Sequence, residues 1–237
     1  MKIKKVNVEK LELKLLKPLR VAFTTFEGAT TVLIKIETDE GIIGYGEAHP
    51  PVIITGETSD SVIEAIRSIG KHLEGIDPLE IPRIHHMMNV LMFGNTAAKA
   101  GIDMALYDIA AKHAGLPLYR YLGGGNNRVD TDVTIGINSS DVMISEAKAI
   151  IRKGYRMIKV KIGKSAKDDV VLIKSLRRSI DSNVKIRLDA NQGYTVTEAI
   201  LVMKALEAED IELVEQPIKH WDYQGLQTIR NKAIIPL

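Results

Sequence analysis

Short apolar, β-branched runs recur through the second half of this sequence. They lie at Val133 to Ile137, Met157 to Ile162, Val184 to Asp189 and Ile211 to Glu215. The interval is roughly 23 to 28 residues, the spacing expected when each parallel strand needs one right-handed helical crossover before the next. Between the runs, apolar residues take helical spacing, which predicts helices over Asp141 to Lys153, Lys167 to Ile180, Thr195 to Glu207 and Asp222 to Asn231. Ala233 to Leu237 reads as the start of a fifth strand. Four consecutive βα units belong either to an open doubly wound sheet or to a barrel. No Gly-rich phosphate fingerprint opens any of these helices, which weighs against dinucleotide binding.

The first half has a different pattern. Val6 to Leu16 alternates, Thr31 to Thr38 is a β-branched run, and Asp39-Glu40-Gly41 turns the chain into a return strand from Ile42 to Glu47. Helices follow. Ser59 is placed to cap Asp60 to Leu73, Pro82 sits near the start of a helix through Met92, and Thr96 is placed to cap Ala97 to Ala114, closed by Gly115. This alanine-rich helix reads as close helix packing rather than a binding element. The expected organisation is an α+β domain over residues 1–125, ending at Gly123-Gly124-Gly125, and a parallel α/β domain over 126–237.

Composition narrows the function classes. The chain has 237 residues, 45% hydrophobic and 26% charged, as expected of a globular rather than a disordered protein. The formal net charge of +2, without a concentrated basic tract, implies neither nucleic acid nor an anionic membrane as partner. With no cysteine, any metal must sit on oxygen or imidazole. The N-terminal Met1-Lys2-Ile3-Lys4-Lys5 has no apolar h-region and no run reaches membrane-span length, so a cytoplasmic location is expected. His49, His85, His86, His113 and His220 read as surface or packing residues.

Buried parallel strands are normally almost wholly apolar, and these are not. Lys159 and Lys161 are two apart and share one face of their strand, while Ile158, Val160 and Ile162 face the other way. Arg187 and Asp189 share a face of the next strand, and Glu215 ends the one after, in phase with Leu213 and Ile211. Alone, a Lys-x-Lys pair marks a solvated edge strand, and a carboxylate at a strand end is usually a loop residue capping the next helix. Here, however, the lysines lie on the second of five strands, and an edge strand does not sit between two others. Lys161, Asp189 and Glu215 all fall at C-terminal strand ends, where parallel α/β barrels build their sites.

These residues resemble the enolase superfamily, in its muconate-lactonising-enzyme-like subgroup. The likeness is carried by Lys159-Val160-Lys161, Asp189-Ala190-Asn191 and Glu215-Gln216-Pro217. It continues in the front domain through Gly44-Tyr45-Gly46-Glu47-Ala48, the helix from Ala97 to Asp108, Pro117-Leu118-Tyr119 and Leu122-Gly123-Gly124. Within the subgroup the chain is most similar to dipeptide epimerases of the Ala-Glu type, through Val52 to Thr58, Gly94 to Lys99 and Leu188 to Tyr194. The resemblance implies a capping domain followed by a partial (β/α)₈ TIM-type barrel, about four βα units and the start of a fifth strand.

It also implies a reaction: removal of the proton α to a carboxylate through an enediolate, with a divalent cation neutralising the developing charge. Enolase-type sites with lysine bases and Mg²⁺ are a known pattern. On this resemblance Asp189 and Glu215 are metal ligands for Mg²⁺, with Mn²⁺ as substitute. Lys161 is the acid/base, its pKa lowered by the neighbouring ammonium and metal. Lys159 touches the substrate carboxylate, and Asn191 supports the metal ligands from behind. Phe23, Thr24, Thr25, Phe26, Ile54 and Thr55 are implied to cover a small carboxylate substrate, a dipeptide. Residues 23–26 are uncharged, which disfavours an acidic second residue.

A full barrel needs about 250 residues, and the family's third metal ligand, opposing lysine and ammonium-binding residues would all follow Leu237. The expectation is therefore an isomerase by family that is inactive as this chain, associating with a second copy over the open barrel edge. Muconate or chloromuconate cycloisomerase, o-succinylbenzoate synthase, and a non-catalytic folded module are the alternatives.

Overall fold

The computed structural model describes residues 1–125 and 128–237. By internal contacts the chain forms two units, Met1–Leu15 with Gly28–Asn127, and Leu16–Glu27 with Arg128–Leu237. The segment Leu16–Glu27 thus groups with the second unit. One reason is that Ile137 donates its N–H to the Arg20 carbonyl at 2.9 Å, and another is that Lys17 pairs with Glu146. The boundary expected at 125/126 adjoins Asn126 and Asn127, which lie outside the described residues. Among the described residues, no helix is long and apolar enough to cross a membrane.

A three-stranded sheet, β1 (Ile3–Arg20), β2 (Thr25–Thr38) and β3 (Ile43–Ala48) in that order, underlies the first unit, except that the strand ends within Leu16–Glu27 group with the second. Antiparallel pairing of β2 with β3 sets Ile34 opposite Gly46 and Ile36 opposite Gly44. The helices are α1 (Val52–Thr55), α2 (Ser59–Leu73), α3 (Ile81–Leu91), α4 (Thr96–His113) and α5 (Leu118–Tyr121). Val32, Ile34 and Ile36 are fully buried with Ile66, Leu73, Ile102 and Ile109.

Two caps differ from expectation. Thr58, not Ser59, caps α2: its hydroxyl accepts from Ser61 N at 3.0 Å and its own N–H donates to Ser61 Oγ at 2.9 Å. A reciprocal cap needs a partner three residues on, and only Thr58 has one. Thr96 is already helical. It is preceded by Asn95 at φ 48 without a side-chain cap, and Glu57 accepts from Ala97 N at 3.2 Å instead.

The alanine-rich α4 owes its composition to a strand. A Cβ on Gly46 would lie 1.9 Å from the Gly101 carbonyl oxygen, and one on Gly44 would lie 2.1 Å from that of Ala105. Helix and strand backbones meet where no larger side chain fits.

The second unit is a four-stranded parallel sheet in chain order, β4 (Val133–Ile135), β5 (Met157–Lys161), β6 (Lys185–Asp189) and β7 (Ile211–Glu215). The connecting helices are α6 (Ser140–Arg152), α7 (Ala166–Ser179) and α8 (Val196–Ala205), and α9 (Tyr223–Lys232) follows β7. Ile158, Val160, Ile162, Ile186 and Leu188 are fully buried in one cluster with Ile173, Leu176, Val202 and Met203 of the helices.

The expected fifth strand does not form. Among the described residues, 233–237 make one backbone bond to the sheet, Val214 N to the Pro236 carbonyl at 2.9 Å. Pro236 has no N–H to return, so that contact does not extend into a ladder.

Gly46→Ala is expected to destabilise the chain by about 2 to 3 kcal/mol, the upper part of the range for overpacking, because backbone rather than a side chain must move. Urea denaturation measures this, and an unchanged midpoint would contradict the close approach.

Candidate active site

Strand register brings the charged residues together. Lys161 of β5 pairs with Asp189 of β6, which pairs with Glu215 of β7. Three adjacent strands thus end in one row of charged side chains, with Lys159 one inward-facing position earlier, opposite Arg187.

Asp189 is the hub. Its Oδ2 lies 2.6 Å from Lys161 Nζ and 3.0 Å from Lys159 Nζ, and Lys159 Nζ also reaches Glu215 Oε2 at 2.5 Å. The side chains of Asp189, Lys161 and Lys159 are 2%, 10% and 20% exposed, whereas Glu215 is 52% exposed. Two ammonium groups face two carboxylates, so the cluster is neutral overall with only Glu215 more than half exposed, the condition under which burying the other three charges is tolerable.

Burial is the largest influence on Asp189 and opposes ionisation. The hydrogen bonds from Lys161, Lys159 and the Asn191 amide together outweigh it, and hold the carboxyl below its ordinary range. Burial likewise opposes the charge on Lys159, but its bonds to Glu215 and Asp189 raise it above the usual lysine value.

The rim behind the row is strained. Asn191, Gln192 and Gln216 have φ of 45°, 65° and 38°. Non-glycine residues in this region cost about 1 to 3 kcal/mol each and concentrate at functional sites. Asn191 donates its N–H to Asp189 Oδ1 at 2.9 Å, fixing the carboxylate's orientation. Its side-chain Oδ1 is buried and has no hydrogen-bond partner among the described residues. Asn191 also borders a cavity of about 550 Å³ with Ala22, Phe23, Gly163, Tyr194 and Trp221.

The six residues implied to cover a substrate fall in different places. Phe23, Thr24, Thr25 and Phe26 belong to the second unit, with the two phenyl rings edge-to-face at 6.5 Å. Ile54 and Thr55 end α1 in the first unit, where Val52, Ile53 and Ile54 are all more than half exposed.

A second charged layer was only partly visible in the sequence. Arg187 donates from Nε to Glu212 Oε2 at 2.7 Å and from Nη1 to Asp132 Oδ2 at 3.1 Å. Glu212 reaches Arg187 because the register shifts: Ile211 pairs with Ile186 but Leu213 pairs with Arg187, which leaves Glu212 as a bulge. Ile211 is therefore not in phase with Leu213 and Glu215, and it joins the outer core instead. The signal available was a charged residue at a mid-strand position, which needs a partner on its own face.

Two carboxylate oxygens, from Asp189 and Glu215, converge on the one ammonium of Lys159. That convergence fits a hard cation with two protein oxygens and further open positions. Among the described residues, no three or more His, Cys, Asp or Glu gather as a metal site.

Residues 3–123 match the mandelate racemase / muconate lactonizing enzyme N-terminal domain, and residues 142–237 match the enolase C-terminal domain-like family. The chain belongs to the mandelate racemase/muconate lactonizing enzyme family of the enolase superfamily. It is 40% identical to the hydrophobic dipeptide epimerase of Enterococcus faecalis over 98% of its own length, and 37% identical to the L-Ala-D/L-Glu epimerase of Bacillus subtilis over 100%. It spans 66% of the length of each, just under two thirds.

Among solved structures, it superposes with a TM-score of 0.96 at 39% identity on the Enterococcus faecalis dipeptide epimerase complexed with Mg and L-Leu-L-Tyr. This covers 99% of this chain and 66% of that one. A muconate lactonizing enzyme from Pseudomonas fluorescens gives 0.93 at 26% identity, covering 99% and 65%. The family resemblance seen in the motifs is thus borne out, as is the architecture of an antiparallel cap domain and a partial parallel α/β barrel.

The Arg187 layer carries a pH dependence. The hydrogen bond from Arg187 is the main influence lowering Glu212 below its ordinary value. Its contribution to stability is then present above about pH 4, the unfolded carboxylate range, and lost as pH falls through the folded value. Arg187→Met is expected to destabilise the chain clearly near neutrality and much less in acid. Urea denaturation at neutral and acidic pH measures the gap between the two proteins, and an equal gap at both would rule out the linkage.

Proposed function

We propose that this rim abstracts the proton α to the carboxylate of a small substrate, most closely a dipeptide, as one half of an epimerase site. The observation that carries the reading is the single register row of Lys161, Asp189 and Glu215, with Lys159 bridging both carboxylates. In this reading Asp189 and Glu215 hold Mg²⁺, for which Mn²⁺ substitutes. When bound, the cation supplies positive charge where the carboxylate gains negative charge. Lys161 accepts and returns the proton. Lys159, freed from its carboxylate partners, binds the substrate carboxylate. Asn191 holds Asp189 in orientation through its backbone amide.

Relatives at 36 to 40% identity named as dipeptide epimerases support a dipeptide over a muconate. The muconate lactonizing enzymes stand at 27% and 26%. An uncharged stretch at Phe23, Thr24, Thr25 and Phe26, with apolar Ile54 beside Thr55, supports an apolar second residue. The Enterococcus faecalis relative is itself named for hydrophobic dipeptides.

Two measurements test the reading. Mn²⁺ binding, followed by electron paramagnetic resonance, is expected to weaken at least about tenfold in Asp189→Asn and in Glu215→Gln, as loss of a charged oxygen ligand requires. Equal affinity in wild type and both variants would remove the metal assignment.

The second is a dipeptide screen in deuterated water with Mg²⁺. Inversion needs a base on each face of the substrate, and the described rim offers one lysine pair, so no epimerisation is expected from the 237-residue chain alone. Epimerisation, with deuterium at the inverted centre, should appear when the chain is joined to the remaining barrel portion of the Enterococcus faecalis relative. Lys161→Ala should then lower it by about 10²- to 10⁴-fold. Turnover by the 237 residues alone, or of muconate in place of dipeptides, would contradict the proposal.

The outer edge of β7 carries the lone Val214–Pro236 backbone bond. A second copy pairing there is expected to show as a dimer in light scattering, and a monodisperse monomer would rule it out.

A further inference from the structure

Asp169 is a buried carboxylate with no part in the chemistry proposed above. It lies in the first turn of α7 and is 8% exposed. A single oxygen, Oδ2, accepts three hydrogen bonds: from Gly163 N at 3.0 Å, Ser165 N at 3.3 Å and the Tyr194 hydroxyl at 2.7 Å. The two amides belong to the loop that follows Lys161. The phenol belongs to the loop that follows Asp189. One buried anion therefore ties together the two loops from which the central pair of the site projects.

The loops also touch directly. Gly163 has φ 105°, and a Cβ on it would lie 2.3 Å from the Ala190 carbonyl oxygen, while one on Gly193 would lie 2.1 Å from the Gly163 carbonyl oxygen. Ile162 donates its N–H to the Asp189 carbonyl at 3.0 Å. The same stitching extends to the loop after Glu215, through Tyr194 N to the Pro217 carbonyl at 3.0 Å and Gln192 N to the Gln216 carbonyl at 2.8 Å. Tyr194 is 6% exposed. Burial first, and the neighbouring Asp169 carboxylate second, push its phenol well above the usual tyrosine range, so it remains a donor.

We propose that Asp169 and Tyr194 are positioning residues, whose buried carboxylate–phenol bond fixes the loop after β5 to the loop after β6 and thereby sets the spacing of Lys161 and Asp189. The inference rests on the roles given to those two residues above. The side-chain hydrogen bonds of Asp169 and Tyr194 go to each other and to the Gly163 and Ser165 amides rather than to the cluster, so their effect is exerted through backbone placement. Supporting groups of this kind typically change metal affinity by about 10- to 100-fold when removed.

The test compares wild type, Tyr194→Phe and Asp169→Asn in the 237-residue chain. It uses Mn²⁺ alone as probe, amide hydrogen exchange and urea denaturation. Tyr194→Phe keeps the ring and leaves Asp169 two amide donors, so its unfolding midpoint should stay near wild type. Its Mn²⁺ affinity should fall about tenfold, and the Ile162 and Asn191 amides, both bonded to Asp189, should exchange faster. Faster exchange with unchanged Mn²⁺ affinity would make the clamp merely structural and overturn the proposal, as would no change in either.

If wild type binds no Mn²⁺, the metal assignment fails and the positioning role is overturned with it, whereas equal exchange at Ile162 and Asn191 beside retained Mn²⁺ binding overturns the clamp alone. Should Tyr194→Phe not fold, Asp169→Asn is read by the same two outcomes.

Discussion

The pairing of Lys159 and Lys161 with Asp189 and Glu215 is the interaction on which the rest of the second unit depends. Parallel strands that face a core carry charge only when each charge finds a partner across the ladder, because an unpaired buried ion costs several kcal/mol. Here the register supplies the partners. Lys161, Asp189 and Glu215 lie in one row. A slip of one residue in β6 would turn Asp189 and Arg187 outward into the apolar cluster beneath the helices, and would take from Lys161 its carboxylate partner. The charges therefore specify the alignment that gathers them.

A second neutralised layer lies beneath the first. Arg187 is held between Asp132 and Glu212, with Glu212 turned inward by the bulge in β7. Above both layers the loops adopt left-handed backbone at Asn191, Gln192 and Gln216 and are stitched by carbonyl bonds from Ile162 to Tyr194. Local strain persists only where the surroundings over-determine it. The buried Asp169 carboxylate and the glycines at 163 and 193 provide that determination, by permitting an approach no side chain would allow.

Much of this was legible in the sequence. The βα rhythm, the antiparallel front sheet and the Lys-x-Lys, Asp and Glu pattern follow from period and strand parity, which are local properties of the chain. What was not legible depends on partners distant in sequence. The cap of α2 shifted to Thr58 because Ser61 completes a reciprocal pair. The start of α4 is satisfied by Glu57, 40 residues away from Ala97. Val214 meets Pro236 without a fifth strand, because proline returns no hydrogen bond. Alanine-rich composition implies close helix packing, whereas the small face of α4 meets the glycines of β3.

The sequence by itself determined the family, the architecture and the four charged residues, three of them at strand ends, that share one face of the sheet. Side-chain alternation and strand spacing are written residue by residue. Only the tertiary structure decided that Lys159 bridges both carboxylates while Lys161 contacts Asp189 alone, and that Glu212 turns inward. It alone showed that Asp169 and Tyr194, 25 residues apart, share one buried bond. Those facts arise from ladder register and loop contact, and a linear pattern does not encode which residues of separate strands come to lie side by side.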